Sequence, residues 1–250
     1  MNAAADRWAL EEKLKVLVAV RVPEPEQISP LLIELYHPLR VCLLGLYAVP
    51  DQTAPEQARE QFGAEADASL QEVAGAFRSE GVEVETELVF TPDELETVER
   101  TVVERDCHAV VLLRPTYEIE SILAALRPGP MATRVLHFLA ELLRGTDYRA
   151  TLLHVAGEAE DLEEQEEERR ELELLQRELL GQEGIDADRV TTRLAVDEDR
   201  EEAVLAAARE HDLVLIGETE PTVREKVFGD FSRRLADEAD VPVMVVRREL

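Results

Sequence analysis

The chain has 250 residues, a formal net charge of −28, and only three lysines among its 27 basic residues. Such an acidic surface repels nucleic acid and anionic membranes over most of its area, which argues against both as partners. The composition also indicates a salty cytoplasm, because molar salt shortens the Debye length to about 3 Å and screens the repulsion among carboxylates. An ordinary acidic mesophilic protein is the alternative.

The apolar runs of the sequence have the length of strands, so no segment is expected to span a membrane. The first residues are interrupted by charges and lack the apolar region of a signal peptide, which predicts a cytoplasmic protein. Cys42 and Cys107 lie in or beside apolar strands without metal-ligand spacing, so we expect reduced, packed thiols rather than a disulfide or a metal site. No catalytic grouping of side chains stands out, and we expect no enzyme activity.

Apolar runs alternate with segments of helical spacing along most of the chain. We predict strands over 16–20, 41–49, 83–90, 109–113, a segment that begins at Ser121, 150–155, 189–196, 213–216 and 241–246. We predict helices over 28–39, 55–79, 92–105, 131–143, 162–180, 198–210 and a segment after Gly229, with Thr91 and Asp197 as caps. This alternation predicts an α/β fold in which helices cover both faces of a parallel sheet.

The sequence also repeats itself, since three strand segments recur at offsets between 104 and 109 residues. Only residues 114–120 separate the fourth strand from the fifth, whereas a parallel crossover within one sheet needs about a dozen residues. We therefore predict two tandem, doubly wound parallel-sheet domains, over 14–117 and 121–250. The first domain lacks the last helix and strand that the second domain carries.

The end of the second domain carries a recognisable order of elements. A buried strand ends at Gly217, a loop follows, a helix begins after Gly229, and the apolar strand Val241–Val246 closes the chain. This segment resembles the universal stress protein family. The resemblance implies a five-stranded parallel sheet, dimerisation through the last strand and, in one branch of the family, ATP binding.

The family's nucleotide motif is glycine, two residues, glycine, nine residues, then glycine with serine or threonine. Gly217 and Gly229 match it, but Glu220 replaces the second glycine, Asp230 replaces the hydroxyl residue, and the gap is eight residues. Together with Glu218 these carboxylates repel a polyanion. We therefore expect no bound ATP or other cofactor, and we interpret Gly217 as a packing glycine and Asp230 as an N-cap.

The family's ATP-binding branch has an adenine-contacting aspartate at the end of the first strand. Arg21 and Arg127 stand at the two corresponding positions of this chain. We expect Arg127 to form an ion pair with Glu218 that closes a disused pocket.

Arg21 and Arg114 end neighbouring strands of the predicted first sheet. Two guanidinium groups at one sheet edge can hold an anion with bidentate geometry, so Arg21, Arg114 and Arg127 are the candidate anion-binding residues. The alternative is that Arg21 and Arg114 each pair with a nearby acid such as Glu24 or Glu118.

Two functions remain open at this point. The sequence favours a non-catalytic stress-response or regulatory protein that acts through protein partners or dimerisation, with a small-molecule sensor for a nucleotide or another anion as the alternative. An exposed apolar edge strand is an aggregation hazard, so the edges at 109–113 and Val243–Val246 should both be covered. We expect a homodimer through the last strand, and the alternative is that this strand turns back onto the first domain of its own chain.

Overall fold

The computed structural model describes residues 13–25, 28–50, 52, 54–116, 119–158, 160–182, 184–218 and 230–248. These residues form nine strands: β1 Lys15–Arg21, β2 Arg40–Ala48, β3 Glu83–Thr91, β4 Ala109–Leu112, β5 Ser121–Ala125, β6 Arg149–Ala156, β7 Val190–Val196, β8 Leu213–Gly217 and β9 Val243–Val246. They also form seven helices: α1 Pro30–Glu34, α2 Pro55–Ser79, α3 Glu94–Glu104, α4 Pro130–Leu143, α5 Leu162–Leu180, α6 Arg200–Ala208 and α7 Asp230–Ala239.

The long helices follow the sequence pattern closely. α2 runs unbroken through Gly63. α5 begins at a capping box, in which the Asp161 side chain accepts the backbone N–H of Glu164 while the Glu164 side chain accepts the backbone N–H of Asp161. This reciprocal pair satisfies two amide groups that a helix start leaves without partners, and it fixes where the acidic helix begins.

Two predicted caps are wrong by two residues. Asp93, not Thr91, caps α3, because the Asp93 side chain accepts the backbone N–H of Glu96 at 2.9 Å. Thr91 ends β3, and its hydroxyl accepts the backbone N–H of Asp93 at 3.1 Å. In the same way Asp199 caps α6, and Asp197 accepts the backbone N–H of Asp199. Each earlier side chain stabilises the turn that leads to the cap.

The strands form a single sheet in the order β3-β2-β1-β4-β9-β8-β5-β6-β7. Each half has the same internal order, because β3-β2-β1-β4 corresponds to β7-β6-β5-β8. All neighbours within a half are parallel, and β9 continues the second half parallel to β8. The two halves meet where β4 pairs with β9, and this pairing alone is antiparallel within the described sheet.

The last strand covers the edge that the first half leaves open. Ala109 pairs with Val246, and Leu112 pairs with Val243. Both edges of β9 are thus occupied within one chain, so this structure follows the alternative, in which the last strand turns back onto the first half of its own chain. The physical reason is that β4 offers an apolar edge four residues long, and the first half has no strand of its own to cover it.

Helices cover both faces of the sheet. On one face α2, α4 and α5 bury large side chains such as Phe77, Leu139 and Leu179 against the strands. On the other face α3, α6 and α7 bury Val102 and Leu235. The predicted α/β class with a parallel sheet covered on both faces is confirmed. Among the described helices, none combines the length and the apolar character needed to cross a membrane.

Candidate functional site

A cleft of about 760 Å³ opens at the carboxyl ends of β5 and β8. Its floor is formed by the ends of these strands, and its walls are the first turns of α4, α6 and α7. Ligands in open α/β sheets bind outside the carboxyl ends of the strands, so this cleft is the candidate ligand site. The residues that decide its chemistry are Arg127, Met131, Arg134, Gly217 and Glu218.

Gly217 ends β8 directly beneath the side chain of Met131. A Cβ atom added at Gly217 would lie 2.5 Å from Met131 Cγ, a distance at which the two residues cannot coexist without movement. The absent side chain therefore serves the packing of Met131, as the interpretation of Gly217 as a packing glycine anticipates. The space above this glycine is filled by the protein's own side chain.

Glu218 is tied to the end of the last strand. Its backbone N–H donates to the carbonyl of Val246 at 2.7 Å, and its carboxylate accepts the backbone N–H of Arg248 at 2.9 Å. These bonds hold a carboxylate at the rim of the cleft, where it repels an incoming anion.

Asp230 does not have the predicted role. It is the first residue of α7 rather than its N-cap, and its exposed carboxylate accepts from the guanidinium of Arg233 at 2.6 Å. An ion pair within the first turn replaces the expected capping bond. The motif positions Glu220 and Gly229 lie outside the described residues.

Arg127 lies exposed at the end of β5 and lines the cleft. Among the residues that the structure describes, it forms no ion pair with Glu218, so the expected pair that would close the pocket is wrong. Arg134 lines the same cleft from α4 and donates to the carbonyl of Arg247 at 3.3 Å. Two guanidinium groups, Arg127 and Arg134, therefore face this cleft from β5 and α4.

The two candidate arginines of the first half point to different partners. Arg21 binds the carboxylate of Glu94, with Nε at 3.1 Å from both carboxylate oxygens and Nη2 at 2.7 Å from one of them. Arg114 donates to the carbonyl of Ala236 at 3.1 Å and forms an ion pair with Asp237. The expected convergence on a shared anion is therefore wrong.

The acids that engage these arginines differ from the expected ones. Glu94 is the first residue of α3, so the chain that leaves β3 brings it to the same sheet edge as Arg21. A search restricted to sequence neighbours misses such an acid, although the predicted helix start already placed it at that edge. Asp237 comes from the second half and is reached only through the β4–β9 pairing, which the sequence offered as an alternative.

Two residues that line the cleft, His154 and Arg200, belong to a group of polar side chains that the sequence did not single out. The buried ring of His154 donates through Nδ1 to the carbonyl of Leu126 at 2.8 Å, and its Nε2 lies 3.1 Å from Glu168. Nearby, Glu160 accepts the backbone N–H of Gly157 at 3.0 Å, and this bond lowers the pKa of the Glu160 carboxyl.

Arg200 completes this group at the start of α6. Its Nη2 lies 2.5 Å from the carboxylate of Glu160. These bonds fix the end of β5 beside Arg127 and hold α6 against the loop before α5. In the described part of the chain, no group of three or more histidine, cysteine, aspartate or glutamate side chains is arranged to hold a metal ion.

Comparison with known proteins places this architecture in a family. The model of the universal stress protein family matches residues 118–247. None of the curated proteins matches the chain in sequence. Among solved structures, a universal stress protein from Archaeoglobus fulgidus DSM 4304 superimposes with a TM-score of 0.63 at 14% identity, covering 93% of this chain and 96% of that one.

Two further structures align with about half of the chain. UspA from Lactobacillus plantarum has a TM-score of 0.44 at 13% identity and covers 53% of this chain and 100% of its own. A universal stress protein family member from Burkholderia pseudomallei has a TM-score of 0.40 at 23% identity and covers 53% and 98%. The likeness over 93% of the chain supports the tandem arrangement, and the family model spans more than half of the sequence. The chain therefore belongs to the universal stress protein family.

Proposed function

We propose that this protein is a non-catalytic, cytoplasmic stress-response protein that does not bind ATP and acts through a protein partner. The single observation that carries the proposal is the contact between Met131 and Gly217. Family membership supplies the stress-response class, and the composition supports an acidic protein of a salty cytoplasm.

The contact matters because a glycine after a strand permits close approach of a phosphate group to the backbone. Here the side chain of Met131 already lies against the backbone of Gly217, because a Cβ atom added at Gly217 would be 2.5 Å from Met131 Cγ. The carboxylate of Glu218 is held beside it by the backbone of Arg248. A triphosphate would have to displace an apolar side chain and lie next to a fixed negative charge.

Calorimetry with ATP and Mg²⁺ tests this proposal, and we expect no binding tighter than about 100 μM, which corresponds to about 5 kcal/mol. The matched variant is Met131→Ala, which removes the side chain above Gly217 and leaves the carboxylates in place. A tighter dissociation constant in the unmodified protein, abolished by substitution at Gly229, would overturn the proposal. Mass spectrometry of gently purified protein should likewise reveal no nucleotide.

Three further observations support a protein partner rather than a second copy of the chain or a small ligand. The strand through which family resemblance implied dimerisation is used within the chain, so β9 offers no free edge to a second copy. In the first half, Arg21 at the end of β1 is bound by Glu94. A charge of −28 also favours a partner with a basic surface, because complementary potentials accelerate encounter.

A second candidate function is the sensing of a small anion in the cleft of the second half. One observation favours it: Arg127 is exposed there and has no carboxylate partner among the described residues, in a chain with twice as many acids as bases. Arg134 lies in the same cleft. Phosphate and sulfate are the simplest probes, because a guanidinium binds either with bidentate geometry.

A titration with inorganic phosphate, followed by NMR, separates the two functions. The anion sensor predicts saturable shifts that disappear in Arg127→Ala and persist in Arg21→Ala, the matched arginine at the end of β1. Shifts that survive in Arg127→Ala, or an absence of shifts in the unmodified protein, would reject the sensor.

A further inference from the structure

The two ends of the sheet are covered differently. β3 is the outermost strand at one end of the described sheet, and β7 is the outermost strand at the other. At β3 a side chain of α2 occupies the edge, because Nη2 of Arg59 donates to the carbonyl of Leu88 at 2.6 Å. In the part of the chain that the structure describes, no side chain does the same at β7 between Thr192 and Val196. An outermost strand without such cover offers its hydrogen-bonding groups to another chain.

The direction of the β7 backbone shows which groups are on offer. Asp197 directly follows β7 and donates its backbone N–H to the carbonyl of Ala156 on β6 at 3.0 Å. Alternate residues of a strand direct their backbone groups to the same side, so Thr192, Leu194 and Val196 direct theirs away from β6. Among the described residues these outward groups have no hydrogen-bond partner. Three residues of the edge are therefore ready to pair.

Apolar side chains lie exposed beside the end of this edge. Gln176 of α5 donates to the carbonyl of Val190 at 2.7 Å, so the later part of α5 lies beside the start of β7. Leu162 stands fourteen residues before Gln176, about four turns or 21 Å, which places it on the same side of α5 and level with the end of β7. The exposed fractions are 83% for Leu162 and 46% for Val196. An added strand would shield both from water.

Carboxylates gather at the same end of the strand. We call them the acidic cluster, and they line a shallow concavity just beyond β7: Glu158, Asp197, Glu198 and Asp199. Arg200 and Glu201 line it too, but Arg200 is bound to Glu160, and Glu201 is bound to Arg234. Within the described residues, no basic side chain forms an ion pair with a member of the acidic cluster. The local excess of negative charge complements a basic group on a partner.

We propose that the protein partner binds as an extended strand antiparallel to β7, with basic residues at the N-terminal end of that strand against the acidic cluster. This inference rests on the proposed function, in which the protein acts through a partner, and it names the surface and the chemistry of that partner. Antiparallel pairs are slightly more stable than parallel ones, and this orientation brings the N-terminal end of the added strand to the carboxyl end of β7.

Main-chain hydrogen bonds hold an added strand, and its alternate side chains give the specificity. Val190 packs in the core with α5, and Leu194 and Val196 lie on the same face of β7 because they are an even number of residues away. The side chains of the partner on this face should therefore be apolar. The expected segment combines apolar residues at alternate positions with a basic N-terminal end.

A synthetic peptide tests the docking on the native full-length protein. The probe is a fluorescent peptide with three arginines followed by alternating valine and threonine, and its anisotropy measures binding. We expect saturable binding that weakens as salt is raised, and slower hydrogen exchange at the amides of Thr192, Leu194 and Val196. A peptide with the arginines moved to its C-terminal end should bind about tenfold more weakly or less.

Two matched proline variants locate the edge. Thr192→Pro removes an outward N–H that β6 does not use, and it should weaken binding about tenfold. Thr86→Pro makes the same change on the outward side of β3 and should have no effect. Where the proline disturbs folding, the double variant Glu158→Gln with Glu198→Gln should weaken binding and reduce its dependence on salt, with an unchanged circular dichroism spectrum.

The outcomes that overturn this inference are distinct from those that overturn the proposed function. An absence of saturable binding, protection of β3 instead of β7, or equal weakening by both prolines would overturn docking on β7. Equal affinity of the two peptides would overturn the orientation. A species with the mass of two chains that Thr192→Pro dissociates would show that a second copy occupies the edge instead. Tight ATP binding would reject the proposed function, whereas failure of the peptide to bind rejects only this mode of docking.

Discussion

The two halves of the sheet share one strand order but differ in how the open edge of the fourth strand is covered. The second half builds β9 from its own sequence and adds it beside β8, whereas the first half stops at β4 and pairs with the same β9 in the opposite direction. One strand of four residues thus completes two repeats. The truncated repeat folds in this setting because a neighbouring repeat covers the edge that it leaves open.

The halves also differ at the ends of their first strands. In the first half Arg21 is held by Glu94, at the start of the helix that follows β3. In the second half the equivalent Arg127 lines an open cleft. The open cleft and the exposed arginine that lines it therefore lie in the second half, which is the complete repeat.

The largest effect should come from the strand that both halves share. Val245 is buried and pairs with Val110 on one side and Ile216 on the other. Val245→Arg would bury an uncompensated charge where β4 pairs with β9, and this burial should lower the free energy of unfolding by about 3–5 kcal/mol or more. We expect loss of cooperative folding in urea followed by circular dichroism. The matched change Val196→Arg, at a half-exposed site on the outer strand β7, should have little effect.

The same strand gives a test of association. Because both edges of β9 are occupied, we expect light scattering in high salt to give the mass of one chain, 28.1 kDa. A species of twice this mass, which dissociates when a charge is placed in β9, would show instead that this strand pairs between chains.

A smaller effect is expected where the side chain of Arg247, from the second half, contacts the backbone of the first half. Arg247→Met removes the donor to the carbonyls of Val102 and Cys107 and leaves those acceptors buried. The loss should be about 1–3 kcal/mol of the free energy of unfolding. Arg248→Met is the control because that side chain is exposed, and it should change the stability by less than about 0.5 kcal/mol. Equal effects of the two changes would contradict the role of Arg247 at the join.

The next effect is confined to the second half, where Gly217 packs against Met131. Gly217→Ala forces a methyl group against Met131 and should cost about 1–2 kcal/mol, as overpacking does. The cost should largely disappear in a Met131→Ala background, which a double-mutant cycle measures. Gly75→Ala, in α2 with open space around it, should instead stabilise the protein by about 0.5–1 kcal/mol. Destabilisation by Gly217→Ala that persists without the methionine would contradict the packing role.

The fold could be predicted from the sequence because its signals are local and repeated. α2 and α5 have the predicted bounds, since helical spacing and a helix start mark each of them. α1 is five residues rather than the predicted twelve, because apolar spacing persists through turns that the chain makes before β2. Apolar spacing alone does not distinguish a short helix from the buried turn that follows it.

The site could be predicted only in outline. The cleft lies at the carboxyl ends of the strands of the second half, as the predicted order of elements indicated. The partners of the arginines, however, come from other elements, as with Arg114 and Asp237. The contact of Met131 with Gly217 joins residues 86 positions apart, and nothing in their local sequence indicates it. Long-range contacts of this kind depend on the sheet order, and the choice between the two positions of β9 could not be made from residue patterns.

The smallest expected effect is a dependence of the stability on pH, and it also arises where β4 pairs with β9. His108 precedes β4, its Nδ1 accepts the backbone N–H of Lys15 at 3.1 Å, and its carbonyl accepts the backbone N–H of Arg247. Burial lowers the pKa of His108 below its ordinary value. The unfolded chain then binds more protons than the folded chain near the unfolded pKa of about 6.5, so stability rises with pH through this window and falls as the solution is acidified.

We therefore expect the free energy of unfolding to decrease between about pH 7.5 and pH 5.5, and the decrease to become smaller in His108→Asn, whose side-chain oxygen can still accept from Lys15. Burial also lowers the pKa of His137 on α4, so His137→Asn should flatten the profile by a separate amount, and the two changes should add. Urea titrations at several pH values measure both. Hydrogen exchange should assign the His108 part to β4 and β9, because that histidine lies where the two strands meet. If His108→Asn left the pH profile of stability unchanged, the titration of His108 would not contribute to that profile.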